Sequence, residues 1–77
     1  MSELPRYSMV IAWSEEDRAY LVTLPEWTAQ ARMPITHGST YQEAALRGQH
    51  ALESLIEQAL EDGKALPMPA VAQQGVA

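Results

Sequence analysis

The chain has no cysteine, which removes disulfides and thiolate metal sites together. Basic residues are scarce: Arg6, Arg18, Arg32, Arg47 and Lys64 stand against ten acids, for a formal net charge of −5. Nucleic acid is held largely through phosphate contacts from Lys and Arg, and these five are scattered, so direct binding to nucleic acid is disfavoured. The charge suits a basic protein partner. No stretch approaches the roughly 18 apolar residues that a membrane helix needs. The opening MSELPRYS has an acid and a proline where a signal peptide has a basic start and an apolar core. These absences point to a soluble, cytoplasmic chain with no membrane association and no cofactor.

With 77 residues, the expectation is one domain over residues 1–77, with a core over about 5–69 and a loose tail over 70–77. So small a domain buries a limited share of its surface. Without disulfides, association with further copies is a natural source of buried area.

Residues 7–13, YSMVIAW, alternate as a strand, with Tyr7, Met9, Ile11 and Trp13 on one side. Residues 19–24, AYLVTL, alternate likewise, and Pro25 ends that ladder. SEEDR between them reads as the tip of an antiparallel hairpin. Ala29 to Arg32 is a candidate third strand, with Pro34 arguing against a central position, and THGST at 36–40 reads as a turn. Thr40 and Glu43 then form the T-x-x-E capping box of a helix. Its apolar stripe runs through Tyr41, Ala45, Gly48, Leu52, Leu55 and Ala59, with Ile56 beside it. Gly48 costs about 1 kcal/mol against alanine but suits a close approach to the sheet. Gly63 is placed as the C-terminal cap. Pro67 and Pro69 favour an extended segment, a candidate edge strand. The pattern is α+β: a small antiparallel sheet with one long helix on one face. The other face also carries apolar side chains, and a second copy of the chain is its natural cover.

Few residues suggest chemistry. Glu15, Glu16 and Asp17 are adjacent on a turn, whereas a two-metal nuclease needs carboxylates converging from separate elements. A solvated turn explains them better. His37 lacks the nucleophile and orienting acid of a hydrolase, and His50 has no zinc-ligand spacing to it. Glu53, Glu57 and Glu61 lie four residues apart on the helix and repel one another. They are either a solvated face or an acidic stripe for a basic partner, with Leu46 on the same side. Trp27 is open between core residue and interface anchor. The candidate partner interface is therefore Trp27, Leu46, Glu53, Glu57 and Glu61.

Asp17 and Tyr20 in a D-x-x-Y hairpin, Pro25 after the second strand, the T-x-G-x-T of Thr36, Gly38 and Thr40, the Glu43-Ala44 helix start, and Gly63, Pro67 and Pro69 recur in a fixed order. Together, over roughly residues 7–69, they resemble the HicB-like antitoxin family. The resemblance implies a partial RNase H-like fold of β-β-β-α-β order without the catalytic carboxylates. It also implies neutralisation of HicA, a small basic toxin that cleaves mRNA, and assembly into homo-oligomers, a dimer or tetramer. Full antitoxins continue into a DNA-binding domain, so a chain ending at Ala77 resembles a short stand-alone member. Trp27-Thr28-Ala29-Gln30 replaces the glycine turn usual after the strand-ending proline. The expected function is that of a non-enzymatic antitoxin for a HicA-type toxin. The alternative is an orphan self-assembling scaffold or ligand-binding domain without a toxin partner. A residual nuclease using Glu15, Glu16, Asp17 or His37 is the weakest reading.

Overall fold

The computed structural model describes residues 6–69, so the tail expected over 70–77 lies outside the described residues. The order is β1 (Val10–Ser14), β2 (Ala19–Thr23), a 3-10 turn (Pro25–Trp27), β3 (Thr36–Gly38) and α1 (Tyr41–Glu61). The three strands form one antiparallel sheet with β2 in the middle. This is the small α+β arrangement expected, with β-β-β-α order.

The register decides what each face carries. Ile11 lies opposite Val22, Trp13 opposite Tyr20, and Ala12 opposite Leu21. On the other side of β2, Tyr20 faces Gly38 and Leu21 faces His37. Side chains alternate along a strand, so Ile11, Trp13, Tyr20 and Val22 point toward α1. Val10, Ala12, Leu21 and His37 point away from it. The core forms on the helix side from Val22, Leu24, Trp27, Ala44 and Leu52.

Two close approaches set the helix on the sheet. A Cβ on Gly38 would stand 2.5 Å from the Ala44 nitrogen and 2.9 Å from the Glu43 carbonyl carbon. A Cβ on Gly48 would stand 2.8 Å from Val22 Cγ1 and 2.9 Å from Met9 Sδ. The close approach expected at Gly48 is therefore present, and Gly38 supplies a second one. The expected stripe holds at Gly48, Leu52, Leu55, Ile56 and Ala59, and its first turn is carried by buried Ala44 in place of Tyr41 and Ala45. Ala44 seats on Gly38, which turns the helix by about one residue and leaves Tyr41 62 % exposed, its ring against that of Tyr20 at 4.3 Å.

The ends of α1 follow their sequence signals. Thr40 has extended backbone, and its Oγ1 accepts the Glu43 N–H at 3.0 Å. The return bond is displaced by one residue: Glu43 Oε1 accepts from the Ser39 N–H at 2.6 Å. At the other end Gly63 has φ 68, a left-handed conformation that glycine adopts without a Cβ penalty. The Gly63 N–H reaches the Leu60 carbonyl at 3.2 Å and the Lys64 N–H reaches that of Ala59 at 2.9 Å, the paired bonds of a Schellman cap.

Two expectations about the strands need correction. The third strand is not Ala29 to Arg32. Pro25 pre-sets a tight turn, after which the Gln30 and Ala31 N–H groups both donate to the Trp27 carbonyl at 3.0 Å. The strand lies instead at Thr36–Gly38, within the stretch read as a turn, and the Ile35 N–H opens it by donating to the Val22 carbonyl at 2.8 Å. The first strand is Val10–Ser14 and not 7–13, because the Ser8 N–H is taken by the Glu26 carboxylate. The edge strand expected after α1 is not shown among the described residues, and the stretch beyond Pro69 lies outside them. Leu66 packs on the core, and the Pro67 carbonyl accepts from the Tyr7 hydroxyl at 2.5 Å.

Candidate partner-binding surface

The hairpin tip is a hydrogen-bonded turn. Ser14 Oγ donates to Asp17 Oδ2 at 3.0 Å, and the Asp17 N–H donates back to Ser14 Oγ at 3.1 Å. Glu15 accepts from Trp13 Nε1 at 3.0 Å and stands 3.7 Å from the Arg18 guanidinium. Glu15, Glu16 and Asp17 are all exposed. Among the described residues no group of three or more His, Asp or Glu side chains is placed to hold a metal. The two histidines are likewise apart: His37 lies exposed on β3 and His50 exposed on α1. The His37 carbonyl accepts from Arg47 Nη1 at 3.2 Å.

Arg47 also reaches Glu43 at 3.4 Å, so it joins the first turns of α1 to β3. Its charge and the Ser39 N–H hold the Glu43 carboxyl below the usual glutamate range, the hydrogen bond contributing most. Tyr7 shifts the other way: burial first, then the Glu26 carboxylate, pushes its hydroxyl above the ordinary tyrosine value.

Of the five residues expected at the interface, the structure brings four together. Leu46, Glu53, Glu57 and Glu61 are exposed along the solvent side of α1. Leu46 is 54 % exposed. Leu60, which the sequence reading missed, is 64 % exposed and lies seven residues after Glu53, two helical turns along the same side. That spacing was the available signal. From Gly48 to Asp62 the chain has no Lys or Arg, and no described ion pair involves Glu53, Glu57 or Glu61.

Trp27 is not part of this surface. It is 1 % exposed and stacks edge-on against Tyr7 at 5.4 Å. The 3-10 turn after Pro25 swings it under the helix, so the expectation of an interface anchor is corrected to a core residue. Trp27 also forms one wall of a cleft of about 140 Å³, bordered by Gln30, Leu55, Gln58, Asp62 and Lys64. Its Nε1 is buried with no hydrogen-bond partner among the described residues.

No described helix is long and apolar enough to cross a membrane. No family model, no curated protein and no solved structure matches this chain.

Proposed function

We propose that the chain is a HicB-like antitoxin, a non-enzymatic module that masks a small basic HicA-type ribonuclease through the solvent face of α1. The observation that carries the reading is the make-up of that face. Glu53, Glu57 and Glu61 project into solvent on the side that carries exposed Leu46 and Leu60, with no Lys or Arg from Gly48 to Asp62. Such a face costs the free protein stability. Like charges four residues apart on a helix oppose it by a few tenths of a kcal/mol per pair. Acids near the helix C-terminus meet the negative end of its dipole. A cationic partner relieves both penalties, and the two leucines supply the apolar contact that charge alone does not.

The mechanism is steric occlusion of the toxin's RNA-binding surface, with complementary charge mainly speeding association. In this reading the fold is a partial RNase H-like one without its catalytic carboxylates, and the protein works in the cytoplasm as a homo-oligomer, a dimer or tetramer. The apolar sheet face bearing Val10, Ala12 and Leu21 supports that last element. The same face also supports a second reading, a self-assembling scaffold or ligand-binding domain with no toxin partner.

Native purification from the source cells separates the two. Antitoxin function gives a stoichiometric small basic protein whose RNA cleavage stops when this chain is added back. Homo-oligomer alone, from cells expressing the chain well, favours the scaffold.

A further inference from the structure

The chain has two tryptophans, three tyrosines and no phenylalanine, and these five rings divide into two groups. Tyr7 and Trp27 pack on each other beside the last turns of α1, where Tyr7 also holds the segment that follows the helix. The other three form a row at the opposite end of the domain, where the hairpin meets the first turn of α1. Trp13 stands edge-on to Tyr20 with ring centroids 5.0 Å apart, and Tyr20 lies 4.3 Å from Tyr41 at a tilt of 35°. Both ends of the row are exposed, Tyr41 by 62 % and Trp13 by 44 %. Glu15 accepts from Trp13 Nε1 at 3.0 Å, which fixes the indole plane and sets a carboxylate at its edge. Glu16 and Asp17 follow, and with Arg18 offsetting Glu15 the tip beside the row keeps a formal charge of −2.

We infer that this row is a second contact site for a basic partner and takes its arginine side chains, stacked on the faces of Trp13 and Tyr41. The inference rests on the basic-partner reading above and adds the side chain that is recognised. A ring face attracts a cation, and the planar guanidinium stacks there better than a compact, strongly hydrated ammonium does. Aromatic rows also stack bases in nucleic-acid binders, but three acids within four residues of Trp13 repel phosphate. The row also adjoins the acidic face of α1. Arg47 faces β3, and β1 lies across β2 from β3, so the row's outer end is on the side of α1 away from β3. Glu53 and Leu60 follow Arg47 by six and thirteen residues, about 120° and 140° around the axis at 3.6 residues per turn, toward that same side. One partner can therefore cover both.

The probe is a synthetic peptide of alternating arginine and glycine, with a lysine–glycine peptide of equal length beside it, titrated at low salt into the full chain and followed by heteronuclear NMR. The amides at positions 13 and 41 report on the row, and those at 53, 57 and 61 on the α1 face. The arginine peptide should shift both sets, and at the row it should bind at least about threefold more tightly than the lysine peptide. Trp13→Leu with Tyr41→Leu keeps apolar bulk without ring faces and should weaken the arginine peptide there roughly 3- to 30-fold. Trp13→Phe with Tyr41→Phe keeps the rings and should retain most of the affinity. In Glu53→Lys with Glu57→Lys the row's shifts should persist while those of the α1 face are lost. Circular dichroism confirms that each variant folds. Shifts confined to the α1 amides overturn the row and leave that face standing. Equal binding by the leucine and phenylalanine pairs, or by the arginine and lysine peptides, overturns recognition through the rings. Loss of the row's shifts on charge reversal of α1 overturns the row as a site of its own, and silence at both sets of amides overturns the row together with the acidic face.

Discussion

Alanine at Gly38 should destabilise the protein more than alanine at Gly48, although both add one methyl group. At Gly38 the new carbon would lie 2.5 Å from the Ala44 nitrogen, 2.8 Å from its Cα and 2.9 Å from the Glu43 carbonyl carbon. All three are backbone atoms of the first turn of α1, so no rotamer change relieves the overlap and the helix must move off the sheet. Overpacking of this kind costs about 3 kcal/mol at the upper end of its usual range, offset by up to about 1 kcal/mol of unfolded-state entropy. A net loss of about 2 kcal/mol remains. At Gly48 the overlap is with Val22 Cγ1 and with the Met9 thioether. The Met9 end can swing aside, and alanine gains about 1 kcal/mol of helix propensity, which leaves a net loss of about 1 kcal/mol. In a domain of this size, 1 kcal/mol moves the Tm by roughly 4 to 8 °C. Thermal unfolding followed by circular dichroism, with a chemical denaturation series beside it, should therefore rank wild type above Gly48→Ala and Gly48→Ala above Gly38→Ala. If Gly38→Ala loses no more than Gly48→Ala, the β3–α1 contact is not the tight one described.

Two further predictions concern titration and light. The folded-state pKa of Glu43 is depressed, so its contribution to stability is present above the unfolded glutamate value and is lost as pH falls through the folded value. Glu43→Gln should therefore flatten the acid limb of a stability–pH profile below about pH 4.3 and leave the neutral-to-alkaline limb in shape, as read by denaturation midpoints. The two tryptophans should separate in quenching: Trp27, 1 % exposed, resists iodide and emits to the blue, whereas Trp13, 44 % exposed, is quenched. The Trp13→Phe variant should leave only the protected, blue emission, and strong quenching there would place Trp27 at the surface.

What the sequence made legible was whatever had a local physical signature. The hairpin followed from two alternating runs around SEEDR, and the helix from Thr40, Glu43 and Gly63, whose side chains or backbone freedom act within one turn. β3 was not legible. Three residues, Thr36–Gly38, are too few to show a period, and a threonine–glycine–serine cluster has turn chemistry on its own. It becomes a strand because β2 offers Val22 as a partner. The helix stripe was nearly right, and its rotation toward Ala44 depended on Gly38, a contact between elements that periodicity does not encode. Trp27 was ambiguous because a tryptophan after a strand-ending proline can turn inward or outward, and the 3-10 geometry decides which. On the surface, Leu46 and the three glutamates were readable from helical spacing, and Leu60 was available by the same rule.

The central claim is that the acidic, leucine-bearing side of α1 recognises a basic partner. Its most direct test is to recover whatever small basic protein co-purifies with the chain from its own cells and to measure its association with wild type and with Glu53→Lys, Glu57→Lys. Both positions are exposed, so the fold should survive, and circular dichroism confirms it. The expected result is a roughly 10- to 100-fold loss of affinity at low salt, mostly in the association rate, that narrows as salt is added. Unchanged affinity and rate in a folded double variant would contradict the claim and remove this face from recognition.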